Sequence, residues 1–113
     1  MKLSHQLAVP RKAGLTPMDP REIARKLGIL SIEERVQIIQ CLLEVGSEGL
    51  EMPDIAVKTG LGAPAIVKQI EALMGAEMVS FKTRDNNKVY LVNERALREV
   101  FDFMFNDYAP RSA

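Results

Sequence analysis

The stretch from Met52 to Val92 constrains the fold more than any other part of this chain. It opens with MPDIAVKT, where Pro53 falls in a first helical turn that needs no N–H from it. The breaker Thr59-Gly60-Leu61-Gly62 follows, and Gly60 is suited to the positive φ that a helix C-terminus favours. A second helical pattern, APAIVKQIEALMGA, places Ile66, Ile70 and Leu73 at i, i+4 and i+7 as a buried stripe, and Gly75 or Glu77 ends it. Met78 to Arg84 and Lys88 to Val92 then alternate as strands, with Asp85-Asn86-Asn87 supplying the turn chemistry between them. Helix, turn, helix, hairpin is the order of a winged helix-turn-helix, a module that commonly lays its second helix in a DNA major groove.

The flanking segments complete such a domain. Asp19-Pro20 opens a helix, Asp as N-cap and Pro preorganised at the first helical position; it carries Ile23 and Leu27 on one face and stops at Gly28. Ser31 and Glu34 have the spacing of a capping box for the next helix. There Val36, Ile39 and Leu43, with Ile32, Ile38 and Leu42 beside them, give a wide apolar face ending near Gly46. In the third helix Ile55, Ala56 and Val57 are expected to face inward. Asn93 caps a last helix from Glu94 to about Asp107, rich in Leu97, Val100, Phe101, Met104 and further aromatics. That face is too apolar for a terminal helix in water. It packs on the chain's own core or, on the sharper reading, pairs with the first helix and with its mate in a second subunit. Ile23, Leu27, Leu97, Val100, Phe101 and Met104 are the expected dimerisation residues. The fold expected is mainly α with a small β-hairpin (α+β): four helices, two strands and a fifth helix, dimeric. Residues 1–18 are expected to form a flexible basic arm and 19–113 the domain.

At 113 residues the chain is one domain's worth. Its core is correspondingly small, so association through a spare apolar helix would be a natural supplement. No apolar run approaches the roughly 18–20 residues that span a bilayer, the N-terminus has no sustained apolar core of a signal peptide, and no membrane partner is expected. A single cysteine, Cys41, precludes an intrachain disulfide framework and fits a cytoplasmic location. Net charge is zero, unlike the basic balance of many nucleic-acid binders. The distribution is uneven, however. Lys2, Arg11, Lys12, Arg21, Arg25 and Lys26 face only Asp19 and Glu22 over residues 1–30, whereas Arg35 stands against Glu33, Glu34, Glu44 and Glu48 over residues 31–50. Phosphates can be bound by a basic stripe on a neutral protein.

The residues that carry chemistry are those of a binding module. Lys68 and Gln69 on the second helix of the pair can hydrogen-bond base edges, Lys to guanine and Gln to adenine, while Ala63 and Val67 can touch a thymine methyl. Pro64 lies on the same face. Lys82, Arg84 and Lys88 straddle the tip with Asn86 and Asn87, where positive charge meets phosphates or a minor groove. No Ser-His-Asp or Cys-His set, phosphate-cradling Gly loop or ligand cluster is present, so neither enzyme chemistry nor a cofactor is expected.

Three segments carry a family resemblance: LSIEERVQIIQCLL (Leu30 to Leu43), MPDIAVKTGLGAPAIVKQIEALMGAEMV (Met52 to Val79) and KVYLVNERALREVFDFM (Lys88 to Met104). Together they resemble the bacterial ArsR-type (arsenic-repressor-like) winged-helix regulators over about residues 20–107, with the related MarR type sharing the core. The first segment is similar to the family's Pro-Thr-Arg motif running into an apolar helix, with Arg35 in the arginine place. The resemblance implies a homodimer built on the first and last helices that binds a pseudo-palindromic operator in double-stranded DNA and represses until an inducer, here unknown, releases it. The family's reading helix usually opens Ser-Gln-Ser-Thr-Val-Ser, then Arg or His. Here Gly62, Ala63, Pro64, Ala65, Ile66 and Val67 precede Lys68 and Gln69, so phosphate contacts and DNA shape should carry more of any binding. Metal-sensing members carry paired cysteines on the third helix or His and Asp sets on the last. This chain has neither and no metal is expected. Redox-sensing members pair a cysteine at the place of Cys41 with a second on the last helix, which has none. Cys41 is expected to pack as a small core residue, a sensor role requiring a lowered pKa and access. The apolar Ala63, Pro64 and Val67, the zero charge and the acidic second helix favour an alternative, a winged-helix protein-interaction module that has given up DNA.

Overall fold

The computed structural model of the protein describes residues 19–106. The expected arm, residues 1–18, lies outside the described residues. Among the latter, five α-helices and one two-stranded antiparallel sheet make a helix-rich α+β fold: α1 Pro20–Ile29, α2 Glu33–Val45, α3 Met52–Thr59, α4 Ala63–Gly75, β1 Val79–Arg84, β2 Asn87–Val92 and α5 Glu94–Asn106.

Local chemistry explains most of the boundaries. Asp19 caps α1, its Oδ1 accepting from the Glu22 N–H at 2.9 Å, with Pro20 at the first position. Gly28 does not stop this helix; α1 runs on to Ile29, and the Leu30 N–H still bonds back to Lys26 and Leu27 carbonyls. The capping box expected at Ser31 does not form. Ile32 occupies the N-cap position with no side-chain bond, the Ser31 hydroxyl donates back to the Gly28 carbonyl at 2.7 Å, and Glu34 is drawn to a tertiary partner instead. Gly46 ends α2 at φ 60°, followed by a 3-10 turn, Gly46–Glu48.

The helix-turn-helix closes as its sequence implies. Gly60 takes φ 77° and donates to the Ala56 carbonyl at 2.8 Å, and the Thr59 hydroxyl donates to the Ile55 carbonyl while accepting from the Leu61 N–H. The hairpin is tighter than expected: Asn87 pairs with Arg84, which leaves a two-residue turn of Asp85 and Asn86 at φ 54° and 67°. Two successive left-handed residues are the signature of the primed turn whose twist matches a hairpin. Beyond β2, Asn93 fastens α5 to the end of α4. Its Oδ1 accepts from the Ala96 N–H at 3.2 Å, and its Nδ2 donates to the Glu77 carbonyl at 2.9 Å.

The main core gathers Ile38 and Leu42 of α2, Ile55 of α3, Ile66 and Leu73 of α4 and Met78, all without exposed surface. Leu50 joins it by an isolated bridge to Tyr90, the two exchanging backbone bonds of 3.0 and 2.8 Å, so the hairpin is tied to the segment before α3. Gly49 makes that approach feasible. It sits at φ 70°, and a Cβ there would lie 2.5 Å from Val89 Cγ1 and 2.7 Å from the Tyr90 carbonyl oxygen. A second, smaller cluster joins α1 to α5: Ile23 and Val100 are buried, with Leu27 and Phe103 packed against them.

Two expectations about faces are corrected. Val57 is 84% exposed rather than inward, because it lies about 200° around α3 from the fully buried Ile55. Val36 and Leu43 are also exposed, since α3, α4 and the hairpin cover the arc of α2 that carries Ile38, Ile39 and Leu42.

Candidate nucleic-acid interface

The helix-turn-helix holds α4 by one side only. Ile66, Gln69, Ile70 and Leu73 are buried against the core, while Ala63, Pro64, Val67, Lys68 and Glu71 form the exposed face. Sequence reading places four of these five on that face; Glu71, three residues from Lys68, adds a negative charge beside it.

Gln69 is a correction. Its residue type suggests a reader of adenine, but Gln69 is 5% exposed and its amide is bonded at both ends. Its Oε1 accepts from Arg35 Nε at 2.7 Å, and its Nε2 donates to Glu34 Oε1 at 2.9 Å. An amide buried this far and bonded at both its oxygen and its nitrogen does not reach a base edge. The pattern contained this signal: Gln69 lies three residues beyond Ile66 and four before Leu73, inside the stripe those residues define, about 60° from Ile66 around the axis.

The hairpin from Phe81 to Lys88 is exposed throughout, and its register divides the basic residues between two faces. Side chains alternate along a strand, so Lys82 and Arg84 share one face and Phe81 and Lys88 the other. On the first face, Lys82 Nζ donates to the Ser47 carbonyl at 3.2 Å and Arg84 Nη1 to the Glu48 carbonyl at 3.3 Å. The Glu48 carboxylate also lies 3.9 Å from the Arg84 guanidinium. On the second face, Lys88 Nζ sits 4.7 Å from the centre of the Phe81 ring, itself edge-on to Tyr90. Asn86 is in the turn and Asn87 at the first pair of β2, both exposed.

The expected dimerisation residues do not share one surface. Ile23 and Val100 fill the α1–α5 cluster, and Leu97 belongs to the main core, so all three are covered within the protomer. Leu27 packs on that cluster part-buried, and the side chain of Met104 lies outside the described residues. Phe101 is 45% exposed. Sequence reading assigned its neighbours on α2 to a buried face and did not count them, or Phe105, among the dimerisation residues. Val36 and Leu43 lie on the outer side of α2 with Ile32 at its N-cap, Phe105 follows Phe101 on α5, and Leu43 and Phe101 line one shallow cleft of about 300 Å³ with Arg98.

Cys41 is buried, and its thiol donates to the Ile38 carbonyl at 3.2 Å. Burial pushes the thiol above its ordinary value and the Glu44 carboxylate adds to this, outweighing Lys58 and the backbone contact, which act the other way. Neither the lowered pKa nor the access that a thiol sensor needs is present in this conformation. Among the described residues no group of three or more His, Cys, Asp or Glu is placed to hold a metal ion, and no helix is long and apolar enough to cross a membrane.

A scaffold of packed helices presenting α4 on one side, followed by a twisted basic hairpin, defines a winged-helix protein. The chain superposes on the crystal structure of NolR from Sinorhizobium fredii with a TM-score of 0.60 and 20% sequence identity, over 83% of this chain and 97% of that one. That likeness establishes the winged-helix fold. No family model matches the sequence, and no curated protein matches it.

Proposed function

We propose that the protein is a DNA-binding transcriptional regulator of the ArsR-like type, acting in the cytoplasm as a homodimeric repressor on a pseudo-palindromic operator. The observation that carries this reading is the presentation of α4: the helix-turn-helix turns Ala63, Pro64, Val67 and Lys68 away from the core, next to an exposed hairpin bearing Lys82, Arg84 and Lys88. Lys68 reaches a guanine edge, and Ala63 and Val67 meet thymine methyls. Lys82, Arg84, Lys88, Asn86 and Asn87 contact phosphates or the minor groove, with Lys82 and Arg84 exchanging their carbonyl partners for phosphate oxygens. The exposed apolar residues Val36 and Leu43 of α2 and Phe101 and Phe105 of α5, of which Leu43 and Phe101 line one cleft, support a twofold partner seated across α2 and α5. A second subunit there would give two reading helices, as a palindrome requires.

Selection of bound duplexes from random or genomic DNA by the purified protein tests the reading. Enrichment of an inverted repeat, with affinity falling steeply as salt rises, is the expected result. One observation favours a second reading. With Gln69 withdrawn inward, the outer face of α4 offers Lys68 opposed by Glu71 among apolar residues, and Val57 stands out on α3. A winged-helix protein-interaction module would present such a surface, and failure to enrich any duplex would leave that reading standing.

A further inference from the structure

A polar side chain sits in the buried stripe of α4, and its partners come from another helix. Arg35 Nε donates to Gln69 Oε1, Gln69 Nε2 donates to Glu34 Oε1, and Arg35 Nη1 donates to the Ile29 carbonyl at the end of α1 at 3.2 Å. The ladder has one chemically consistent arrangement. The carboxylate can only accept and the guanidinium can only donate, so a neutral amide between them must turn its oxygen to Arg35 and its nitrogen to Glu34. Where the packing of Ile66 and Ile70 is non-directional, these bonds have directional geometry and so constrain both the azimuth of α4 and its height against α2. Lys68, the neighbouring residue, leaves the helix on the exposed side, so any rotation of α4 that disturbs Gln69 swings Lys68 by the same angle.

We propose that Glu34, Arg35 and Gln69 form a polar joint that sets the angle of α4 against α2 and the end of α1, making Gln69 a positioning residue for DNA binding rather than a base reader. The inference rests on the DNA reading of α4. Because α1 packs on α5 through Ile23 and Val100, the joint also links that layer to the reading helix.

A reciprocal swap tests it. Gln69→Glu places a second carboxylate against Glu34. Adding Glu34→Gln restores the ladder with the direction of the 34–69 bond reversed: the amide introduced at position 34 donates to the carboxylate introduced at position 69, which still accepts from Arg35. On a duplex selected by the wild-type protein, Gln69→Glu should lose at least about tenfold in affinity, and the double variant should recover to within about threefold, with the selected sequence unchanged. Amide exchange across residues 63–70 should rise in the single variant and return in the double. Should Gln69→Glu not fold, Gln69→Met keeps the volume in an apolar stripe and is expected to fold yet lose affinity. Wild-type affinity in Gln69→Met, or no recovery in the swap, would overturn the joint; a changed base preference would return Gln69 to base reading. If the wild-type protein selects no duplex, the DNA reading fails separately. Unaltered protection of residues 63–70 in the Gln69 variants would then overturn the joint by itself.

Discussion

Replacing Lys88 by Gln puts a number on the proposed wing contact. Lys88 is exposed on the face of the hairpin opposite Lys82 and Arg84, and its contact among the described residues is the face of the Phe81 ring. That cation–π contact at an exposed site contributes about 0.5–1 kcal/mol, so the hairpin, held by six backbone pairs, stays folded without it. If Lys88 meets a phosphate, each contact contributes about 0.9 to the slope of log affinity against log salt. A twofold complex loses two, so the slope should flatten by about 1.8. Between about 50 and 200 mM salt the ratio of wild-type to variant affinity should therefore shrink by about tenfold. Fluorescence anisotropy on a selected duplex across that range measures it directly. Lys88→Arg keeps the charge and should keep the slope. An unchanged slope in Lys88→Gln would mean that Lys88 touches no phosphate, and a flattening of about 0.9 would mean that one wing per complex is engaged.

The other expectations follow from the same geometry. Phe101→Asp places a charge in the cleft shared with Leu43 and should convert the proposed dimer to a monomer in sedimentation, with little change in circular dichroism because the residue is 45% exposed in the protomer. Gly49→Ala combines a φ of 70° with a Cβ 2.5 Å from Val89 Cγ1, and should cost about 3 kcal/mol or more by urea unfolding. Burial raises the Cys41 thiol above its ordinary value of 9.0, so the native state keeps its proton after the unfolded chain has lost it. Stability should accordingly fall as pH rises from about 9 towards the higher native value, and Cys41→Ala should remove that part of the decline. Alkylation of native Cys41 at neutral pH should be slow, and rapid labelling would contradict the burial.

Much of the fold was legible because its signals are local. Asp19-Pro20 starts a helix, Gly60 ends one, and Asn93 caps another through contacts within a few residues. The failures share a cause. At Ser31 the local spacing promises a capping box, but Glu34 finds a better partner 35 residues away in Gln69. Gln69 itself resembles a base reader when its residue type is weighed ahead of its place in the stripe. Ile23, Leu97 and Val100 look available to a partner in the sequence, although α1, α5 and the core cover one another.

Chain order, breakers and periodicity by themselves determined the succession of helices, the helix-turn-helix and the presence of the hairpin, since each depends on backbone preferences and neighbours a few residues apart. Tertiary structure decided which arc of each helix is covered, and hence that Val57, Leu43 and Phe101 face outward while Gln69 turns in. It also divided Lys82 and Arg84 from Lys88 across the wing. The reason is physical: periodicity marks an apolar arc, but another element must cover it, and a polar group enters that arc only where distant partners satisfy its hydrogen bonds.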